Sequence, residues 1–212
     1  MDKGLFIVFE GLDGSGKSTQ ISLLTRYLEA AGRQVLHTAE PTGLPTGKLL
    51  REALGGTGNT DPAYLAGLFL ADRVAHNTDP EQGIIQLLNQ GISVISDRYY
   101  YSSFAYQGMD TDLDWVLDMN LNSPVVCKPD LCIFLDVDYR TCKERIDSRQ
   151  GRLEIFEKDL EILARIRDKF FEVFRLLEST ENIKIVNADR VPEEIAREII
   201  EIVDELMQKR TA

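Results

Sequence analysis

Short apolar runs and helical periodicities alternate along most of the chain. Leu5–Phe9, Val35–Thr38, Ile92–Ser96, Leu131–Leu135 and Ile183–Val186 are compact runs rich in β-branched and aromatic residues, the pattern of buried strands. Between them, apolar residues recur three or four apart. Ile21, Leu24, Leu28 and Ala31 line one helix face before Gly32, and a helical stretch from about Thr46 ends at Leu54 before Gly55-Gly56. The pattern from Asp61 to Asn89 predicts one long helix. Phe156, Leu160, Leu163, Phe170, Phe174 and Leu177 mark a core-facing helix, and Ile195, Ile199, Ile202 and Leu206 another after Pro192. Strands of this kind, separated by helices, predict an α/β fold: a parallel sheet of about five strands with helices on both faces. Ligands in such folds gather at the carboxyl ends of the strands. A glycine-rich turn follows the first run, Glu40-Pro41 the second, Asp97-Arg98 the third, and Asp136 and Asp138 the fourth, so the polar chemistry converges on one rim.

The glycine-rich turn reads Gly11-Leu12-Asp13-Gly14-Ser15-Gly16-Lys17-Ser18, followed by Thr19. This is G-x-x-x-x-G-K-[ST] between a strand and a helix, the setting in which that pattern is a phosphate loop. Its glycines let backbone N–H groups turn toward a polyphosphate, Lys17 can reach the outer phosphates, and the Ser18 hydroxyl can ligate Mg²⁺. The helix that follows adds positive potential at the same point. The chain is predicted to bind a nucleoside triphosphate.

Composition narrows the partners. With 212 residues and no Pro/Ser-rich linker or repeat, residues 1–212 are expected to form a single domain. A formal charge of −11 argues against a nucleic-acid surface but leaves room for a small anion held by a few arginines. The opening residues run straight into a strand and no apolar run is bilayer-length, so neither a signal peptide nor a membrane partner is expected. Cys127, Cys132 and Cys142 lack metal or disulfide spacing, which suits a reducing, cytoplasmic setting.

Other residues carry candidate chemistry. Asp97 ends a strand where nucleotide-binding folds place a carboxylate for Mg²⁺ or its water, and it also suits an N-cap for the next helix. Arg98 can grip a phosphate or pair with Asp97. Phe69 and Arg73, four apart, share a helix face and could sandwich and hydrogen-bond a base, although Phe on a helix is also ordinary core. The segment Tyr99 to Gly108, with Ser103, Tyr106 and Gln107, offers aromatic and amide groups to a sugar and a base, part of which must be packing. Arg145, Arg149 and Arg152 surround Gln150-Gly151 in a segment, about 145–156, that suggests a mobile lid or a solvated turn. His37 and His76 have no partners at ligand spacing and read as non-catalytic.

Taken in order, Phe9 to Thr19, Glu40-Pro41 with Arg51, Phe69-Leu70-Ala71-Asp72-Arg73, and Asp97-Arg98-Tyr99 through Gln107-Gly108 resemble the thymidylate (dTMP) kinases of the nucleoside monophosphate kinase superfamily. The resemblance implies Mg²⁺-dependent transfer of the ATP γ-phosphoryl group to dTMP, by positioning and charge neutralisation. It implies that Gly11, Asp13, Gly14, Ser15, Gly16, Lys17, Ser18 and Thr19 hold the donor phosphates, with Ser18 and Asp97 at the metal. Arg51 and Arg98 would grip the dTMP phosphate, with Pro41 alongside and Asp13 near the sugar. Phe69 would stack on thymine, Arg73, Ser103 and Gln107 would read its edges, and Tyr106 would face the deoxyribose. Because the loop carries Gly14 where some members have arginine, the catalytic arginine is expected from the lid, as Arg149 or Arg152. The family is typically homodimeric, and helices at 61–89 and 112–121 could supply the interface.

Three departures from the family pattern stand out. Ala39-Glu40-Pro41-Thr42-Gly43 replaces the common Arg-Glu-Pro-Gly-Gly. Tyr101 stands where acidic residues are frequent, so a different sugar side is expected. Asp136 to Arg140 ends in Tyr-Arg where Pro-Glu is usual. Outside this family, a kinase for another nucleotide or a nucleotide-operated switch remains. The arginine pair Arg51 and Arg98 speaks against a nucleoside kinase, and the lack of an Asn/Thr-Lys-x-Asp motif against a GTPase.

Overall fold

The computed structural model of the chain describes residues 3–148 and 159–211. Arg149, Arg152 and Phe156 lie outside the described residues, as does most of the expected lid.

Five parallel strands form one sheet, β1 (Phe6–Glu10), β2 (Val35–Ala39), β3 (Ser93–Asp97), β4 (Leu131–Asp136) and β5 (Ile183–Asn187), in the order β2-β3-β1-β4-β5. The register pairs Phe9 with Asp97, Ala39 with Asp97, and Glu10 with Phe134, so the carboxyl ends finish level. The helices are α1 (Lys17–Ala30), α2 (Pro45–Leu54), α3 (Pro62–Thr78), α4 (Ile84–Asn89), α5 (Tyr100–Tyr106), α6 (Leu113–Leu121), α7 (Tyr139–Asp147), α8 (Leu160–Leu177) and α9 (Pro192–Thr211). The chain leaves β1 in one direction for β2, and every later crossover runs the other way. Right-handed crossovers then put α1 on one face and α2 to α8 on the other. The last helix, α9, returns to lie against α1. The connections leaving the neighbouring strands β1 and β3 go to opposite faces, so the crevice between their carboxyl ends is the natural binding cleft.

One sequence expectation fails. The stretch 61–89 is two helices, α3 and α4. Pro80 cannot supply an N–H and disfavours helical backbone at Asp79, whose side chain accepts from the amides of Glu81 (2.9 Å) and Gln82 (2.8 Å). Gly83 then lies where any Cβ would stand 2.4 Å from the Asp79 carbonyl oxygen, closing the turn. The elements α5 and α7 were not drawn from periodicity, because each is a short helix.

The larger face is sealed by aromatic rings. Phe134 on β4 lies 4.9 Å from Phe170 and 5.0 Å from Phe174, centroid to centroid, both on α8. Tyr101 on α5 meets Phe174 edge-on at 6.2 Å. Phe170 is completely buried. Replacing Phe170 by Ala should cost about 3–5 kcal/mol in urea-induced unfolding. A loss below about 1 kcal/mol would mean that α8 does not depend on this cluster.

Candidate active site

The phosphate loop is shaped by three glycines with positive φ, Gly11 (143°), Gly14 (83°) and Gly16 (94°). Space forbids a side chain at two of them as well. A Cβ on Gly14 would stand 2.6 Å from the Cys142 carbonyl oxygen, and one on Gly11 2.9 Å from that of Leu135. The loop is therefore pressed against β4 and α7, and Arg145 adds a hydrogen bond from Nη1 to the Gly14 carbonyl (3.0 Å). No side chain caps α1, which leaves its N-terminus to a ligand. Lys17 is buried, and its Nζ donates to the carbonyls of Gly11 and Leu12, both at 3.1 Å. Burial and the nearby Arg98 lower its pKa, while Asp97 at 3.9 Å and Asp13 at 4.0 Å oppose that shift. Ser18 and Thr19 are exposed on the first turn, and the buried Ser15 hydroxyl has no hydrogen-bond partner.

Asp97 does not cap the next helix: α5 starts at Tyr100, with Tyr99 in the cap position. Its Oδ1 is buried and accepts no hydrogen bond among the described residues. An acceptor left bare beside the phosphate-loop lysine fits Mg²⁺ or a water bound to it. Mg²⁺ keeps several waters and takes few protein ligands, so Ser18 and Asp97 are a sufficient donor set.

Arg98 does not pair with Asp97 either. Its Nη2 donates to Asp13 at 2.8 Å and its Nη1 to the Ser102 hydroxyl at 2.9 Å. Its backbone is left-handed, φ 70°, which costs a non-glycine residue about 1 kcal/mol. Two bonds hold it there: its amide donates to the Phe9 carbonyl (2.9 Å) and its own carbonyl accepts from the Ser96 hydroxyl (2.8 Å). Burial works against the charge on Arg98, but Asp13, Tyr106, Glu10 and Asp97 more than offset it and the pKa is raised. Tyr106 lies under the guanidinium, 5.2 Å from ring centroid to Cζ.

Glu10 completes this arrangement, and sequence reasoning gave it no role. Alternation along β1 puts it on the same face as Phe6, whose ring meets Tyr99 at 5.0 Å. Its carboxylate accepts from the amides of Tyr99 (2.9 Å) and Ser102 (3.1 Å) and from the Ser102 hydroxyl (2.7 Å). It thus caps α5 from a distant strand.

On the acceptor side, Arg73 and the side chains of Glu40, Ser103 and Asn120 come together. Arg73 is 1% exposed and donates from Nε to Glu40 (2.9 Å), from Nη1 to Asn120 (2.5 Å) and from Nη2 to Ser103 (3.2 Å). Glu40 is also held by His76 Nδ1 at 3.0 Å, whose Nε2 meets the Thr38 hydroxyl at 2.8 Å. His76 is a structural partner, consistent with a non-catalytic reading. Asn120 had no signal in the sequence. Gln107 is buried, and its Oε1 has no hydrogen-bond partner among the described residues. Phe69 is half-buried one turn before Arg73, and Pro41 is half-buried beyond Glu40. Arg51 donates to the carbonyls of Thr42 (2.6 Å) and Pro41 (2.5 Å), which sets it on the loop after β2.

Tyr101, at the position where acidic residues are frequent, is fully buried against α8 and donates its hydroxyl to Glu181 at 2.7 Å. Asp138 caps α7 through the Arg140 amide (2.8 Å). Asp136 is forked by Arg167, with bonds of 2.7 and 2.9 Å.

The buried Glu10 gives a pH dependence with a defined sign. Burial pushes its pKa from 4.5 up to about 7, against the pull of Arg98, Ser102, the Tyr99 amide and Lys17. Between those values the native state keeps a proton that the unfolded chain has released. Stability from this site is therefore fully present below 4.5 and lost as pH rises through 7, by at most roughly 3 kcal/mol. Urea unfolding of the parent and of Glu10→Gln should show the parent's relative stability falling from pH 5 to pH 8. A constant difference across that range would mean that Glu10 titrates normally.

Comparison with known proteins agrees with this geometry. The family model described as thymidylate kinase matches residues 9–199. The probable thymidylate kinase of Thermococcus gammatolerans is 39% identical over 211 residues, covering 95% of this chain and 97% of that one. That of Pyrobaculum calidifontis is 40% identical over 205 residues, covering 96% and 97%. Among solved structures, thymidylate kinase from Candida albicans superposes with a TM-score of 0.79 at 28% identity, over 96% of this chain and 92% of the other. With that model matching residues 9–199 and relatives about 40% identical over nearly their whole length, the chain belongs to the thymidylate kinase family.

Proposed function

We propose that this enzyme transfers the γ-phosphoryl group of Mg-ATP to dTMP, giving dTDP and ADP. One observation carries the choice of acceptor. Among the described residues the buried Gln107 Oε1 lacks a donor, while Arg73 has its fork fixed by Glu40, Asn120 and Ser103. Thymine offers what such a pocket needs: an N3–H for the amide oxygen and a carbonyl for an arginine N–H. Cytosine has no N3–H and would leave Gln107 unsatisfied.

In this reading Lys17, Ser15 and the loop amides hold the donor phosphates, and Thr19 supports them from the first turn. Ser18 and Asp97 hold Mg²⁺, which neutralises charge on the phosphates when bound. Arg51 and Arg98 hold the acceptor phosphate, and Asp13 keeps Arg98 aimed. Phe69 stacks on the base and Tyr106 faces the sugar. Catalysis is alignment and charge stabilisation, with no covalent intermediate. The arginine that neutralises the transferring group comes from Arg149 or Arg152, since the loop has no space for one at position 14.

Two further readings concern the setting. Tyr64 on α3 and Trp115 on α6 are each 43% exposed, which supports a homodimer through these helices; a sedimentation mass of one chain would reject it. Among the described residues no helix is long and apolar enough to cross a membrane, and the three cysteines are free, in keeping with a cytoplasmic enzyme.

An ADP-release assay with Mg-ATP tests the function against dTMP, dUMP, UMP, dCMP, dGMP and thymidine. We expect dTMP to lead, dUMP to trail by the ~1–3 kcal/mol that one methyl supplies, and dCMP to fall at least about a hundredfold behind. Preference for another acceptor would discard the thymine pocket and keep phosphoryl transfer. Hydrolysis indifferent to all acceptors would point to a switch. Replacing Arg149 and Arg152 by Ala, singly and together, should lower kcat at least about tenfold in one combination with little change in dTMP affinity. Unchanged turnover in the double variant would remove the lid assignment.

A further inference from the structure

Asp72 is fully buried on α3, and its carboxylate is held by three neutral donors. Oδ2 accepts from the Thr42 amide at 2.8 Å. Oδ1 accepts from the hydroxyls of Thr42 at 2.6 Å and Thr46 at 2.7 Å. Thr42 Oγ1 in turn accepts from the Leu44 amide at 3.1 Å. Thr42 and Thr46 flank the start of α2, and Gly47 lies so close beneath that a Cβ there would stand 2.0 Å from the Thr42 carbonyl oxygen. The loop between β2 and α2 is therefore gripped from two sides. That same Thr42 carbonyl accepts the 2.6 Å hydrogen bond from Arg51 Nη1.

We propose that Asp72 is a positioning residue for the acceptor phosphate: by clasping Thr42 and Thr46 it fixes the loop carbonyls on which Arg51 rests, and so aims that guanidinium. The inference rests on the reading of dTMP as acceptor. A buried carboxylate that loses one of its donors is left with an unsatisfied oxygen, so the loop cannot drift without a penalty. The next residue on the helix, Arg73, is the base reader in that reading. One turn of α3 thus sets both the base reader and the loop beneath Arg51, and the distance between them becomes a property of one rigid element. The clasp also explains a departure of this chain from its family's pattern. Thr42 stands where glycine is common, and its hydroxyl makes half of the bond pair to Asp72.

The test compares Thr42→Val and Asp72→Asn with the parent in three numbers: KM for dTMP, KM for ATP, and Ki of thymidine competing with dTMP. Thymidine fills the base and sugar sites but has no phosphate for Arg51 to hold. Both variants should raise KM for dTMP about tenfold, the value of one hydrogen bond to a charged group, with thymidine Ki and ATP KM within about twofold. Thr42→Ser, which keeps the hydroxyl, should restore the dTMP value. A thymidine Ki that rises in step with KM for dTMP would show a general collapse of α3 and overturn the proposal. So would an unchanged KM in folded variants. If Asp72→Asn does not fold, the near-isosteric Thr42→Val decides alone. A parent that turns over no dTMP fails the acceptor reading itself, which is seen before any variant is compared.

Discussion

The Glu10 carboxylate is the point through which the rest of the rim is connected. Three donors converge on it from one end of α5, and none of them belongs to its own strand. Without that acceptor the helix would begin with bare amides in a fully buried place, a situation that native structures avoid. With it, the first turn of α5 is tied to β1, and the left-handed Arg98 just before it is held between β1 and the Ser96 hydroxyl. Ser102 completes the chain, since its hydroxyl donates to Glu10 and accepts from Arg98. The phosphate loop and Arg98 are therefore parts of one hydrogen-bonded body.

The acceptor pocket shows the same economy with a different charge balance. Arg73, Glu40 and His76 are all nearly inaccessible, and such groups stabilise a fold only weakly when complete. Their value lies in geometry. Removing Glu40 would leave the Arg73 guanidinium buried without its ionic partner, at a cost of about 3–5 kcal/mol. A guanidinium locked on three sides keeps a single orientation.

Much of this was legible from residues close in sequence. The phosphate loop carries its mechanism in eight consecutive positions, and the strand runs announced the sheet because fully buried parallel strands are apolar throughout. What escaped were partners brought together by topology. Asn120 meets Arg73 across 47 residues and Glu10 meets Tyr99 across 89, and no local periodicity encodes either pair. The break in the 61–89 stretch was different: Asp79-Pro80 and Gly83 spelled it out, but the apolar pattern on both sides continued in phase and hid it. The setting of Tyr101 was hidden for a related reason, since its place next to functional residues says nothing of the direction in which its ring points.

The contact between Gly14 and the Cys142 carbonyl bears on which loop this chain can carry. Members of this family differ in whether an arginine sits in the phosphate loop or arrives from elsewhere. Here the backbone of α7 fills the volume that any side chain at position 14 would need. An arginine at position 14 would therefore need a shift of α7 as well as a change in the loop, so the two arrangements differ in the seating of a helix and not in one residue alone.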